Sequence, residues 1–224
     1  MTSEGLLIVI SAPSGTGKGT VMKLVEEKYS NVRFSVSVTT RKPREGEIEG
    51  KSYFFKSVEE FKRLIEEIQL IEWVEYCNNF YGTPRSFVEN SLKEGYDIIL
   101  EIEVEGAANI KKQYPDCVSI FILPPSFDEL EARITGRGTE SRDAIEKRLA
   151  QARKEITCLY NYDYVVVNDD ANLAAEKIIN IIKAEKLTVK RNKDILFKLG
   201  LVNKESWTIM IYPPISSLMK NMDS

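Results

Sequence analysis

Residues 6–20, LLIVISAPSGTGKGT, constrain this chain more than any other stretch. Residues 6–10 are apolar throughout, the pattern of a strand buried on both faces of a parallel sheet. The turn that follows, Ala12-Pro13-Ser14-Gly15-Thr16-Gly17-Lys18-Gly19-Thr20, predicts a phosphate-binding loop that opens a helix. Glycines let backbone N–H groups converge on phosphate oxygens, the helix N-terminus adds partial positive charge, and the lysine reaches the outer phosphates. Two departures from G-x-x-x-x-G-K-[ST] stand out. Ala12 takes the place of the first glycine, which requires only that this residue avoid φ > 0. Gly19 separates Lys18 from Thr20, yet Thr20 still falls in the first helical turn, where its hydroxyl can reach Mg²⁺ or a phosphate.

At 224 residues the chain can bury one sizeable core, or one core with a small inserted lobe. Its 43% hydrophobic and 29% charged residues are those of an ordinary globular protein. The net charge of −3 gives no reason to expect a nucleic-acid or membrane-surface partner. Cys77, Cys117 and Cys158 are odd in number and never in C-x-x-C spacing, which argues against a disulfide framework or zinc site and for a reducing compartment. With no basic leader and no apolar run approaching ~18 residues, the expected location is cytoplasmic. The chain contains no histidine, so His triads, His–metal sites and His general bases are all excluded. Chemistry falls to carboxylates, Lys, Arg, hydroxyls or a cofactor metal.

Along the chain, residues 18–29 read as a helix and residues 34–38 as a second strand. Residues 39–47 form a Pro/Gly-punctuated loop dense in cations. A short strand at 53–55 precedes a capping box at Ser57-Val58-Glu59-Glu60. Residues 70–76 and 79–81 flank Cys77-Asn78 as a hairpin. Thr83 is expected to cap a helix with Pro84 at its first position, and Gly95 to stop it. A β-α rhythm follows: strand 97–102, helix 105–114, strand 118–123, and a helix capped by Ser126. Gly136 and Gly138 interrupt that helix, and a charged helix 141–159, strand 164–168 and helix 173–186 complete the series. Strands separated by helices imply an α/β fold with a central parallel sheet covered on both faces. Residues 36–90 break the rhythm and read as a small inserted lobe.

Three further constellations carry chemical potential. Arg41 and Arg44, with Tyr53 and Tyr81 downstream, suit a phosphate, since Arg presents a planar fork and Tyr a hydroxyl donor. A solvated loop with two core tyrosines is the alternative. Arg133, Arg137, Arg142, Arg148 and Arg153 surround Gly136 and Gly138, as in a lid closing on a triphosphate. Interleaved acids allow a solvated salt-bridge face instead, the reading preferred for Arg142 and Arg153. The third set is acidic: Glu72, and Glu101 with Glu103 at the end of a buried strand, where two-residue spacing would place both on one face. Ionised carboxylates only accept hydrogen bonds, which suits the water shell of Mg²⁺ or the N1–H and N2–H₂ edge of guanine.

These features together resemble the guanylate kinase family. The stretches that carry the resemblance are SAPSGTGKGT, FSVSVTTRKPREGE, GKSYFF, LIEWVEY, NNFYGTP, LEIEVEGA, FILPPS, ITGRGTE, EKRLAQA and VVVNDD, in order over residues 5–187. TTRKPREGE is the most specific of them. The resemblance implies a three-layer P-loop kinase fold with a core at 1–35 and 91–187, a GMP-binding lobe of short mixed strands at 36–90, and a lid at 133–153. It implies transfer of the γ-phosphoryl of ATP to GMP with Mg²⁺, in a monomer or homodimer without nucleic-acid or membrane partners.

Position by position, the resemblance assigns ATP to Ala12, Pro13, Ser14, Gly15, Thr16, Gly17, Lys18, Gly19, Thr20, Arg133 and Asn168. GMP falls to Ser37, Arg41, Arg44, Glu47, Tyr53, Glu72, Tyr81, Thr83 and Glu103. Catalysis falls to Lys18, Arg41, Arg137 and Arg148, and the metal to Thr20 and, through water, Glu101. One departure is Glu103, where the family commonly has Asp, so the carboxylate must sit deeper or tilt. The rivals are an inactive guanylate-kinase-like module that binds phosphopeptides, which typically lacks the loop lysine, and a P-loop kinase for another small acceptor. Residues 188–224 lie beyond the resemblance. A disordered or loosely docked extension is the plainest reading there, and 189–202 could form a basic amphipathic helix and 207–212 (WTIMIY) a strand that needs covering.

Overall fold

The strand predicted from the apolar run is β1 (Leu7–Ser11), with all five residues buried, and it lies at the centre of a parallel sheet. The computed structural model describes residues 4–76, 78–136 and 142–201. Contacts divide the chain into two units, residues 1–180 and 181–224.

In the first unit the strands of the larger sheet run in the order β2 (Val32–Phe34), β7 (Asp97–Glu101), β1, β8 (Val118–Leu123) and β9 (Tyr164–Val167). Each pairing is parallel, in register Val9↔Leu100 and Val9↔Ser119 on the two sides of β1. The core against this sheet joins Leu7, Val9, Ile98 and Leu100 to Val88 and Leu92 of α3 (Arg85–Lys93) and Ala107 and Ile110 of α4 (Val104–Gln113). Apolar contact on this scale supplies most of the folding free energy. The other helices are α1 (Lys18–Lys28), α2 (Val58–Glu66), α5 (Phe127–Thr135), α6 (Arg142–Thr157) and α7 (Ala171–Lys186).

The smaller sheet has the order β4 (Phe54–Phe55), β3 (Val38–Thr39), β6 (Asn79–Pro84), β5 (Leu70–Tyr76), with β3 parallel to β4 and the other pairings antiparallel. Val38, Phe61 and Leu70 form its own small core, while Ile71 of β5 belongs to the main one. That shared residue docks β5 against the helix α4 and so positions the neighbouring Glu72. The capping box at Ser57 is present in both directions, and Gly95 (φ 89) ends α3 as expected.

The tertiary structure corrects three local readings. Residues 34–38 alternate like one strand, but the chain leaves the large sheet at Phe34 and enters the small one at Val38. Thr83 does not cap α3: Pro84 is the N-cap, and the Thr83 hydroxyl bonds across the sheet instead. In the second unit, one helix over 189–202 is replaced by a 3-10 turn (Val189–Arg191) and a short α8 (Ile195–Lys198). The Asn192 amide donates to the carbonyls of Lys186 and Thr188, competing with helical bonding between the two. Residues 207–212 lie outside the described residues.

Candidate functional site

The phosphate loop is shaped by its own backbone and clamped from two sides. Thr16 N–H and Oγ1–H both donate to the Pro13 carbonyl, at 3.2 and 2.7 Å, and the residue is buried inside the turn. Gly15 and Gly17 take φ of 92° and 88°, a region closed to most side chains, whereas Ala12 has none of this positive φ. α1 starts at Lys18, so the N–H groups of Lys18 and Gly19 have no carbonyl one turn back. The Thr16 carbonyl accepts from Asn168 Nδ2 at 2.7 Å and Arg133 Nη1 at 3.3 Å, and Ser14 Oγ accepts from Arg148 Nη2 at 2.7 Å. Side chains 117 to 152 residues away in sequence thus close on one loop.

Two cavities open at this loop. One, of about 350 Å³, is lined by Ala12–Thr20 together with Tyr76, Glu103 and Glu155. The other, of about 340 Å³, is bordered by Gly17, Thr20, Arg133, Asn168 and Asp169. Lys18 Nζ stands 3.7 Å from Glu101 Oε2 at the carboxyl end of β7. Glu101 and Glu103 do not share a strand face as the spacing suggested. β7 ends at Glu101, and Glu103 is the N-cap of α4. Burial pushes the Glu103 carboxyl upward against the opposing pull of Lys18.

In the smaller sheet, the loop after β3 folds back on itself. Arg41 donates from Nη2 to Glu47 Oε1 at 2.7 Å and from Nη1 to Oε2 at 3.0 Å, and the Arg44 backbone N–H adds a third bond at 2.7 Å. These donors hold the Glu47 carboxyl down at about 2. Arg41 lies 5.2 Å over the Tyr53 ring, and the Tyr53 and Tyr81 rings meet edge-on at 6.2 Å. The Arg44 side chain itself is exposed. Thr39 and Thr40 anchor this loop, Thr39 Oγ1 donating to the Phe80 carbonyl and Thr40 Oγ1 accepting from its N–H, both at 2.9 Å. That supplies a structural reason for the two threonines that the sequence alone did not reveal. Ser37 is half-buried, and its carbonyl accepts from Phe54 N–H at 2.9 Å.

Glu72 and Thr83 face each other across the β5–β6 ladder. Thr83 Oγ1 donates to Glu72 Oε1 at 2.7 Å, and both side chains are buried, Glu72 being 5% exposed. Burial raises the Glu72 carboxyl to about 7, with the Thr83 bond pulling it partly back. A buried carboxylate with one oxygen occupied by a hydroxyl is a ready acceptor for a donor edge of a planar base.

Among the predicted residues, the structure gathers the loop with Arg133, Arg148 and Asn168; Arg41 with Glu47, Tyr53 and Tyr81; and Glu72 with Thr83. Arg137 lies outside the described residues. Arg153 stacks 3.8 Å over the Phe127 ring, in keeping with a structural role. Sequence reasoning missed Tyr76 and Glu155. Glu155 sits 7% exposed within a run of charges, accepts from Gln151 at 2.9 Å, and is pushed up chiefly by burial. Nothing local distinguishes it from its solvated neighbours on α6.

Comparison with known proteins identifies the family. The guanylate kinase family model matches residues 4–185. The guanylate kinase of Caldanaerobacter subterraneus subsp. tengcongensis is 53% identical over 196 residues, covering 88% of this chain and 95% of that protein. The guanylate kinase of Bacillus anthracis is 54% identical over 183 residues, covering 81% of this chain and 89% of that one. The crystal structure of guanylate kinase from Anaplasma phagocytophilum superposes with a TM-score of 0.75 at 36% identity, covering 90% of this chain and 98% of that one. With the phosphate loop, the threonine-anchored arginine loop and the buried Glu72–Thr83 pair all in place within the matched residues, the chain belongs to the guanylate kinase family.

Proposed function

We infer that this protein transfers the γ-phosphoryl group of ATP to GMP, giving ADP and GDP, in the cytoplasm. The observation that carries the acceptor's identity is the buried Glu72 held by Thr83. Its carboxylate accepts from N1–H and N2–H₂ of guanine, a donor edge that adenine lacks, while the Ser37 hydroxyl serves O6 and the Thr83 hydroxyl stays on Glu72. Glu103 adds a second carboxylate near the acceptor.

Arg41, Arg44, Tyr53 and Tyr81 hold the GMP phosphate, and Glu47, on the Nη1–Nη2 edge of Arg41, fixes the plane of its guanidinium. The loop Ala12–Thr20 and Lys18 hold the ATP phosphates, and the cavity beside Arg133 and Asn168 receives the adenine side of the nucleotide. Arg148, with Arg133 and Arg137, closes on the transferring group as a lid, so that water is excluded. Lys18 favours an enzyme over a phosphopeptide-binding module.

The donor set near Lys18 fits Mg²⁺. Thr20, exposed in the first turn of α1, would offer its hydroxyl, and Glu101, 3.7 Å from Lys18, would reach the ion through water, both hard oxygen donors. Bound with ATP, the ion would supply positive charge against the nucleotide's phosphates. No general base is needed. The nucleophile is a GMP phosphate oxygen, and a phosphate monoester with a second pKa near ~6 is already largely dianionic at neutral pH. What the chain supplies is alignment of two anions and fixed positive charge.

An ADP-release assay with Mg²⁺-ATP and GMP, AMP, CMP or UMP tests this reading. GMP is expected to be the preferred acceptor; equal or better use of AMP would overturn it.

A further inference from the structure

Gly106 stands at the third position of α4, where glycine is a poor choice for the helix itself. Its φ is not in the left-handed region, so no backbone demand explains it. The explanation lies across the gap to β5. A Cβ at this position would fall 2.7 Å from Glu72 Oε2 and 3.5 Å from both Glu72 Cδ and Ile102 Cδ1. The carboxylate therefore occupies the space a side chain would fill.

Neither partner can withdraw easily. Glu72 Oε1 is held at 2.7 Å by Thr83, and Ile71 and Val74 of the same strand are buried at 1% and 5% exposure. α4 is anchored by Ala107 and Ile110 in the main core. The carboxylate also lies at the first turn of α4, whose N-terminal dipole favours its ionised form.

We propose that Gly106 is a positioning residue for GMP: its missing side chain forms the socket that aims the Glu72 carboxylate at guanine. This rests on the assignment of Glu72 to the guanine site. Any Cβ at position 106 pushes Oε2 out of line, and a hydrogen bond to a charged group is steep in geometry. The loss of affinity should be confined to the acceptor, because the phosphate loop is untouched.

The test measures steady-state kinetics and thermal melting for Gly106→Ala, Glu72→Asp, their combination, and Glu72→Gln. For Gly106→Ala, KM for GMP should rise by about tenfold, the scale of one misdirected charged hydrogen bond, with KM for ATP preserved, while the overlap with the buried carboxylate lowers the melting temperature. Glu72→Asp should weaken GMP binding in the parent protein but improve it in the Gly106→Ala background, because the shorter carboxylate withdraws from the new methyl group. That reversal of sign is a coupling that a general lesion cannot produce. Unchanged GMP affinity in Gly106→Ala, an equal rise in both KM values, or independent effects of the two substitutions would overturn the proposal. However early Gly106→Ala melts, the sign of the Glu72→Asp effect still decides. If Glu72→Gln leaves GMP binding intact, the guanine-site reading itself fails; if it weakens GMP while Gly106→Ala does not, only the role of Gly106 falls.

Discussion

The guanidinium of Arg41 lies fork to fork on the carboxylate of Glu47, with contacts of 2.7 and 3.0 Å. Glu47 fixes the plane of the guanidinium and takes its Nη1–Nη2 edge, so a phosphate would be met by the remaining edge that carries Nε. Arg41→Lys keeps the charge and loses the fork. KM for GMP is expected to rise by roughly tenfold or more, with KM for ATP unchanged, in initial-rate measurements varying each nucleotide in turn. A matching rise for ATP would place Arg41 elsewhere.

Lys18 opens α1 directly after the loop and sits only 3.7 Å from Glu101. This partly exposed pair contributes little to folding. Lys18→Ala should therefore reduce turnover by about two to four orders of magnitude while leaving the melting temperature nearly unchanged. Turnover near that of the parent would remove the loop lysine from the mechanism.

Acceptor binding should depend on pH through Glu72. Its carboxyl titrates at about 7, and only the ionised form accepts both guanine donors. KM for GMP is expected to be flat at alkaline pH and to climb by up to about tenfold per unit below pH 7, with no such limb in KM for ATP. The Thr83 bond lowers this pKa, so Thr83→Val should move the break to higher pH. A break that stays in place would separate Thr83 from the titration.

Stability carries the same shift with a defined sign. The Glu72 carboxyl is raised from 4.5 to about 7 on folding, so the folded state binds more protons than the unfolded one between these values. The contribution is complete below the unfolded value and is lost as pH rises through the folded one. Glu72→Gln should thus gain on the order of 2–3 kcal/mol over the parent at pH 8 and little at pH 4.5, by urea unfolding without nucleotide. Equal effects at both pH values would mean that burial of charge is not the cause.

Particular residues mark how far the sequence could be read. The loop from Ala12 to Thr20, the start of α1 at Lys18, the capping box at Ser57 and the stop at Gly95 were all legible, because each is made by residues within a few positions of one another. The alternation of residues 34–38 was real but misleading, since a period of two cannot say that the strand divides between two sheets. The threonine at 83 carried two possible partners, a helix end and a carboxylate. The local pattern favoured the wrong one.

By itself, the sequence determined the family, the parallel β-α core and the list of residues able to bind phosphate, since those depend on composition, period and short motifs. Tertiary structure alone decided which polar groups meet: Thr16 with Asn168, Ser14 with Arg148, Glu72 with Thr83 and with the empty side of Gly106. Those partners are 11 to 152 residues apart, and strand register and helix docking bring them within hydrogen-bonding or van der Waals reach. The ionisation of Glu72 follows from that burial. A carboxyl group's surroundings, more than its neighbours in the chain, set the free energy of its charge.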